Sequence, residues 1–402
     1  MSQPRTDVFL LFSARSIRLF AYGALSVVLA LYLHETGLRE TQIGLLFTLT
    51  LAGDAGISLW ITTIADRVGR KRMLMFGAGL MLLAGAIFSL TGNPLLLMIA
   101  AVVGVISPSG NEIGPFLSLE QAALAQLLPS DMRTRAFAWY NLAGSLATAT
   151  GALVGGFLSQ GLRQVGFSEL ESYRAVIWGY SACGIILALL FLFLSPAVEA
   201  VITAPETKRV LGLHTSKSIV LKLSALFALD AFAGGFVIQS MVAYWFHVKF
   251  GIEAGILGSI FCGANLLAGI SALLAVRIAA RIGLINTMVF THIPSNILLC
   301  LVPFMPNLAS AIAVLLLRFS ISQMDVPTRQ SYTMAVVAPD ERSAAAGVTG
   351  IARSVGAAIS PALSGLFLAY PALLGAPFLI AGGLKIIYDV LLYRSFRRAD
   401  VK

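Results

Sequence analysis

Long apolar runs, each closed by a short polar gap, recur along the whole chain. Twelve of them reach the length needed to cross about 30 Å of hydrocarbon. They lie at residues 7–33, 41–64, 73–91, 95–128, 136–159 and 174–195, then 218–246, 252–276, 284–303, 307–337, 344–369 and 371–393. The stretch 196–217 between the two groups carries Pro196, Pro205, Glu206, Lys208 and Arg209 and reads as a linker. The pattern predicts an all-α membrane protein of twelve transmembrane helices, with six in 1–195 and six in 218–402.

Composition supports this reading. Of 402 residues, 58% are hydrophobic and 12% charged, about half the charged share of a soluble domain. A net charge of +9 would suit nucleic acid if it formed one patch. The cations instead occupy the gaps between apolar runs, where they set orientation. With both termini cytoplasmic, the inward tails, loops and linker hold 18 Lys and Arg, against four outside: Arg39, Arg163, Arg174 and Lys249. The first run holds Arg15 and Arg18 and lacks a small-residue cleavage site, so it reads as a retained helix. Cys183, Cys262 and Cys300 stand singly in apolar runs and read as small buried hydrophobes.

The halves also repeat. An offset of 214 places Gly37 on Gly251, Gly44 on Gly258, Arg67 on Arg281 and Gly69 on Gly283; an offset of 209 places Gln121 on Gln330, Arg133 on Arg342 and Gly156 on Gly365. A five-residue deletion between the third and fourth helices of the second half reconciles the two offsets.

Ionisable residues at membrane depth are expensive and should face a cavity or a partner. The first half offers Arg15, Arg18, Asp54, Glu112 and Glu120, the second Asp230, Arg318, Asp325, Arg329, Arg353, Lys385 and Asp389. Six acids against six bases imply mutual pairing and no strong field for one sign of solute. On the tenth helix Arg318, Ser322, Asp325 and Arg329 share a face, broadened by Gln323 and Gln330; either an Asp325–Arg329 packing pair or a transport role accounts for it. On the fourth helix, Ser107-Pro108-Ser109-Gly110-Asn111-Glu112-Ile113-Gly114-Pro115 should break the span, which is tolerated where backbone lines a cavity or is covered by protein. Asn111 and Glu112 could then bind solute or a proton, unless Glu112 merely pairs with Arg15 or Arg18. Glu120 and Arg329 fall at equivalent repeat positions and suggest a contact between halves.

Asp230 reads as a proton carrier or as a partner for Arg15 or Arg18. Lys385 and Asp389 read as an i,i+4 pair. His292 suits either proton coupling or ordinary packing. Gln239 and Tyr244 are possible cavity contacts, and the aromatic end of the seventh helix also suits an interfacial belt. No metal-ligand spacing, phosphate-cradling Gly-rich loop or nucleophile elbow appears, so neither a cofactor nor catalysis is expected.

The loop Asp66-Arg67-Val68-Gly69-Arg70-Lys71-Arg72 resembles the signature loop of the major facilitator superfamily, G-x-L-A-D-R-x-G-R-K, with Thr62 and Ile64 replacing its first Gly and Leu. Helix count, linker and repeat extend the resemblance over the whole chain. It implies that Asp66 holds an inner gate, against Arg133 or the start of the eleventh helix near Arg342. Arg67, Gly69 and Arg70 complete the gating loop. Gly151-Ala152-Leu153-Val154-Gly155-Gly156 resembles the antiporter signature of the fifth helix but has Ala152 where that signature has Pro; Gly356 and Ser360-Pro361-Ala362-Leu363-Ser364-Gly365 form a fuller version on the eleventh.

The expected function is secondary active transport of a small solute by alternating access, by proton-coupled efflux. Proton symport or uniport for uptake is the alternative, and a non-transporting membrane sensor or scaffold is a second. The expected setting is a monomer in the plasma membrane (the inner membrane if bacterial), with lipid, protons and a small molecule as partners and no nucleic acid. The expected pathway residues are Arg15, Arg18, Asn111, Glu112, Asp230, Gln239, Arg318, Asp325 and Arg329.

Overall fold

The computed structural model describes residues 3–112, 115–199 and 213–397, without the side chains of Gln3, Pro4, Asp66, Ser130, Asp131, Thr134, Pro339 and Ser343. Most of the expected linker, with Pro205, Glu206, Lys208 and Arg209, lies outside the described residues, as do Ile113 and Gly114. All regular structure among the described residues is helical. In chain order the helices are α1 (Gln3–Glu35), α2 (Glu40–Val68), α3 (Arg70–Leu90), α4 (Pro94–Val103), α5 (Phe116–Leu127), α6 (Ser130–Gln164) and α7 (Glu169–Leu192). There follow α8 (Lys217–Gly235), α9 (Gln239–Phe250), α10 (Ala254–Ile282), α11 (Leu284–Leu301), α12 (Leu308–Ser322), α13 (Asp325–Val336), α14 (Arg342–Leu368) and α15 (Ala376–Phe396).

Eleven segments among the described residues are long and apolar enough to cross a membrane, with α8–α9 and α12–α13 each counting as one; α4 is a shorter apolar helix. The chain forms two compact units, Met1–Thr203 with Gln239–Cys262, and Ala204–Ile238 with Gly263–Lys402. In the first, α1 is the most enclosed span.

Among the described residues three spans are broken. The fourth parts into α4 and α5 around Gly104, Pro108, Gly110 and Pro115, as its proline and glycine content leads one to expect. The tenth, expected as one helix over 307–337, is also divided, at Gln323–Met324. Pro327 explains the division: it lacks an N–H, and its ring excludes the carbonyl four residues back, which belongs to Gln323. The seventh breaks at Phe236–Ile238, after Gly234 and Gly235. There the second unit's α14 presses close, and a Cβ on Gly235 would meet Ser360 Oγ at 2.1 Å and the Ala357 carbonyl oxygen at 2.6 Å.

The small-residue motifs are packing surfaces. In the first unit, a Cβ added to Gly151 would lie 2.0 Å from the Phe20 carbonyl oxygen, and one on Gly155 2.7 Å from Ala24 Cα. One on Gly156 would lie 2.3 Å from the Ala254 carbonyl oxygen. Side chains there would drive α6 off α1 and α10, so glycine permits the close crossing. In the second unit a Cβ on Gly356 would lie 2.3 Å from the Ala228 carbonyl oxygen, and Ser364 Oγ donates to the Phe236 carbonyl at 2.8 Å. The repeat is visible in the turns as well. Gly37 and Gly251 have φ of +90° and +63°, and Gly69 and Gly283 have +111° and +84°, left-handed backbone that glycine adopts without strain.

Gly151→Leu should therefore lower unfolding stability in detergent by about 1–3 kcal/mol, the usual effect of overpacking. Gly179→Leu, which has nothing within 4 Å of an added Cβ, should leave it unchanged. Equal melting of the two variants would contradict the packing role.

Candidate functional site

In the first unit the broken fourth span is stitched by one arginine. Arg18 on α1 is fully buried. Its Nε donates to Glu112 Oε1 at 2.7 Å, before α5 begins, and its Nη1 and Nη2 donate to the two oxygens of Glu120, on α5, at 2.7 Å each. The Tyr140 hydroxyl donates to Glu120 as well. Arg15, one turn earlier, lies 3.0 Å from Glu112 Oε2 and covers the Tyr140 ring at 4.2 Å; its Nη2 donates to Asn141 Oδ1 at 3.3 Å. The Arg15–Glu112 contact is an ion contact without hydrogen-bond alignment. Two cations thus meet two carboxylates, one of them, Glu112, in the non-helical stretch and the other, Glu120, in the first turns of α5.

The non-helical stretch is held by polar groups of which the sequence pattern singled out Ser107 and Gln239 but not Ser26 or Ser240. Ser107 Oγ donates to the Asn111 carbonyl at 2.8 Å, and the Ser240 amide donates to the Pro108 carbonyl at 3.0 Å. Ser26 Oγ accepts from Gln239 Nε2 at 2.7 Å, and the Ser26 carbonyl accepts from Ser240 Oγ at 2.8 Å. Gly110, at φ +69°, lies against Ser26 Oγ. A left-handed glycine between two prolines was the available signal for this cradle. The Asn111 side chain is exposed and makes no hydrogen bond among the described residues. Tyr244 belongs to another group, donating to Glu40 Oε1 at 2.6 Å beside His34.

In the second unit Asp230 is a hub. Its carboxylate lies 2.5 Å from Lys385 Nζ, 3.1 Å from Arg329 Nη1 and 3.2 Å from Arg353 Nη1. Arg329 Nη1 also meets Asp325 at 2.8 Å, the pair that the tenth-helix spacing suggested. The partners of Asp230 correct the expectation that Arg15 or Arg18 would hold it. Lys385 and Asp389 likewise do not pair with each other. Lys385 turns to Asp230, while Asp389 accepts from Asn296 Nδ2 at 3.1 Å and lies 2.9 Å from His292 Nδ1. Glu120 and Arg329, expected to face one another, are each satisfied within their own unit. Arg318 makes no ion pair among the described residues.

The residues expected to form the gating loop are docked locally. The Asp66 side chain lies outside the described residues, and Arg67 is exposed. Beyond Gly69, the amides of Arg70 and Lys71 donate to Glu199 at 2.5 and 3.3 Å, a carboxylate capping the N-terminus of α3. Arg70 Nη1 reaches Gln126 Oε1 at 3.1 Å. Arg133 and Arg342, matched by the repeat, play the same part: Arg133 Nε donates to the Leu128 carbonyl at 3.1 Å and Arg342 Nε to the Met334 carbonyl at 3.0 Å. Beside Arg342, Glu341 is buried and accepts the Ser216 amide at 2.9 Å and the His214 amide, clamping the entry to α8. Burial pushes the Glu341 carboxyl up, but the bonds from His214 and Ser216 outweigh this and bring it down to about 2.

Eleven apolar spans among the described residues, some of them broken beside charged and amide groups, define a helical multi-pass membrane protein. The sequence matches the Major Facilitator Superfamily over residues 11–361, and the chain belongs to that superfamily of secondary transporters, which are not enzymes. It is 30% identical over 427 residues to the uncharacterized membrane protein YJR124C of Saccharomyces cerevisiae, covering 98% of this chain and 95% of that one. Over 154 residues, 38% of each chain, it is 24% identical to the quinolone resistance protein NorA of Staphylococcus aureus. A crystal structure of a variant of the nucleoside transporter NupG superposes with a TM-score of 0.79 at 13% identity, over 97% of this chain and 99% of that one.

Two outcomes test this geometry. Glu120→Gln should cost about 3–5 kcal/mol in detergent unfolding, because it removes the carboxylate from a buried arginine. Glu169→Gln, which loses only the partly exposed pair with Arg163, should cost less than about 1 kcal/mol. Equal losses would remove the buried cluster from the account. For Glu341, the folded value of about 2 lies below the roughly 4.3 of a free glutamate. The clamp should therefore be complete above that pH and lost as pH falls through about 2. Hydrogen-exchange protection at the His214 and Ser216 amides should follow that window; protection flat across it would contradict the clamp.

Proposed function

We propose that this chain moves a small solute across the bilayer by alternating access, coupled to protons, with twelve crossings and both termini cytoplasmic in the plasma membrane. The observation that carries proton coupling is the His292–Asp389 pair. Glu112, Glu120, Asp230 and Asp325 each face a guanidinium or an ammonium group. Protonating any of them would leave a buried cation unmatched, a penalty of several kcal/mol. Asp389 is different. Its partners are the imidazole of His292 and the amide of Asn296, both able to accommodate a neutral acid or a carboxylate.

Around this pair, Lys385 is committed to Asp230, and Tyr388 sets its ring edge-on to His292 at a centroid distance of 6.0 Å. A proton can therefore be taken up or released here without stranding a permanent charge. Both side chains are enclosed, at 5% and 1% exposure, so exchange with water requires the change of access that the transport cycle supplies. Asn111, open to solute, joins Gln239 and Arg318 as the proposed solute contacts; Arg15, Arg18, Glu112, Asp230, Asp325 and Arg329 hold the broken spans in register. Asp66, Arg67, Gly69, Arg70, Arg133 and Arg342 form the proposed gating loops.

We propose efflux by antiport as the direction, supported by the sequence shared with a protein named for quinolone resistance. Uptake by symport is the second reading, favoured by Ala152 at the place where the antiporter-type motif carries Pro. Proteoliposome flux with an imposed pH step separates them by sign. For one proton per solute, accumulation should change by about tenfold per pH unit. Asp389→Asn and His292→Gln should lose that gradient dependence while keeping solute exchange at equal pH. Flux indifferent to the gradient in the parent protein would sink proton coupling.

A further inference from the structure

The second unit does not balance its mid-span charges. Four permanent cations, Arg318, Arg329, Arg353 and Lys385, stand against three carboxylates, Asp230, Asp325 and Asp389. Each carboxylate is engaged by a partner other than Arg318: Asp230 by Lys385, Arg329 and Arg353, Asp325 by Arg329, and Asp389 by His292 and Asn296. The excess charge is Arg318. Its Nε is enclosed without a hydrogen-bond partner, although its guanidinium lies beside the Phe319 ring at 4.9 Å.

A second, independent feature stands on the same helix face. Ser322, one turn on at i+4, is 5% exposed, and its Oγ is also enclosed without a partner. An unbonded guanidinium Nε and an unbonded hydroxyl one helical turn apart are both costly at membrane depth. They are complementary to one kind of group. Arginine has donors and no acceptor, and serine can add a donor, so the missing partner is an acceptor bearing negative charge.

We infer that Arg318 and Ser322 form an oxyanion-binding subsite, and that the solute carries a carboxylate or phosphate group. This rests on the reading of the protein as a solute transporter. A lipid headgroup could offer the same oxygens, but the position argues against it. Arg318 lies ten residues into α12 from Leu308, about 15 Å along the axis at 1.5 Å per residue. That is close to the midplane of a core about 30 Å thick, away from headgroups on either side. The helix also stops at Ser322, where Pro327 has forced the break, so the subsite sits against irregular backbone of the kind that transporters use at membrane depth.

The test is thermal unfolding of the purified full chain in detergent at a fixed pH and chloride concentration. It is titrated with inorganic phosphate, succinate and glucose 6-phosphate, with glucose as the neutral counterpart. At least one oxyanion should raise the melting temperature of the parent protein and glucose should not. Arg318→Gln should weaken the apparent affinity about tenfold or more, and Ser322→Ala by about three- to tenfold. Arg318→Lys should retain part of it. Ser322→Ala carries the test if Arg318→Gln fails to fold. No stabilisation of the parent by any oxyanion, or unchanged affinity in Ser322→Ala, would overturn the subsite. Adding an anionic lipid to vesicle-embedded protein should not compete with the oxyanion; competition would assign the site to lipid and overturn the solute reading. Because binding is read at equal pH, loss of proton coupling with oxyanion binding intact counts only against the proton-coupled function. Proton-driven flux of a neutral solute with no oxyanion binding counts only against the subsite.

Discussion

A charge at membrane depth must be matched within a few ångströms, and the interior of this protein is arranged around that requirement. Arg18 meets it by bridging Glu112 and Glu120, and in doing so closes over the break in the fourth span. Asp230 meets it from the other direction, one carboxylate gathering Lys385, Arg329 and Arg353. Breaking either cluster exposes ions to hydrocarbon, so these residues fix helix register more than they add net stability. Glycine contacts supply the complementary constraint. Gly151 on Phe20 and Gly356 on Ala228 bring helix axes close enough for short-range ion pairs to form.

Much of this was legible in the sequence because it depends on local chemistry. Apolar length marked the eleven long spans seen among the described residues, and the repeat offsets marked Gly37 with Gly251 and Gly69 with Gly283, which share left-handed turns in the structure. Pro108, Gly110 and Pro115 marked the fourth-span break. The Asp325–Arg329 spacing marked a real pair. What could not be read was partner choice across helices. Asp230 has cations in three different helices, and nothing in its own neighbourhood names Lys385, which lies 155 residues away. Lys385 and Asp389 satisfied the i,i+4 rule on paper, yet stronger partners on α8 and α11 separate them. Pro327 was visible, but its effect falls four residues earlier, at Gln323, inside a stretch whose polar stripe looked continuous.

The contrast among the buried acids carries the functional argument. Of the mid-span acids, Glu112, Glu120, Asp230 and Asp325 are locked to permanent cations, while Asp389 is matched to a histidine and an amide. Arg318 stands apart for the opposite reason, as a cation whose partner is not among the described residues. The sequence count of six acids and six bases hid this, because totals balance while individual pairings do not. The proposed proton site and the inferred anion subsite thus fall in one unit.

The most direct measurement of the central claim is intravesicular pH, followed with a trapped dye, when small organic anions are added to proteoliposomes held at equal starting pH. The account predicts a pH change evoked by the transported solute in the parent protein and absent in His292→Gln, while labelled solute still equilibrates in both. A solute that crosses the parent membrane protein with no proton movement, or an undiminished pH change in His292→Gln, would contradict it.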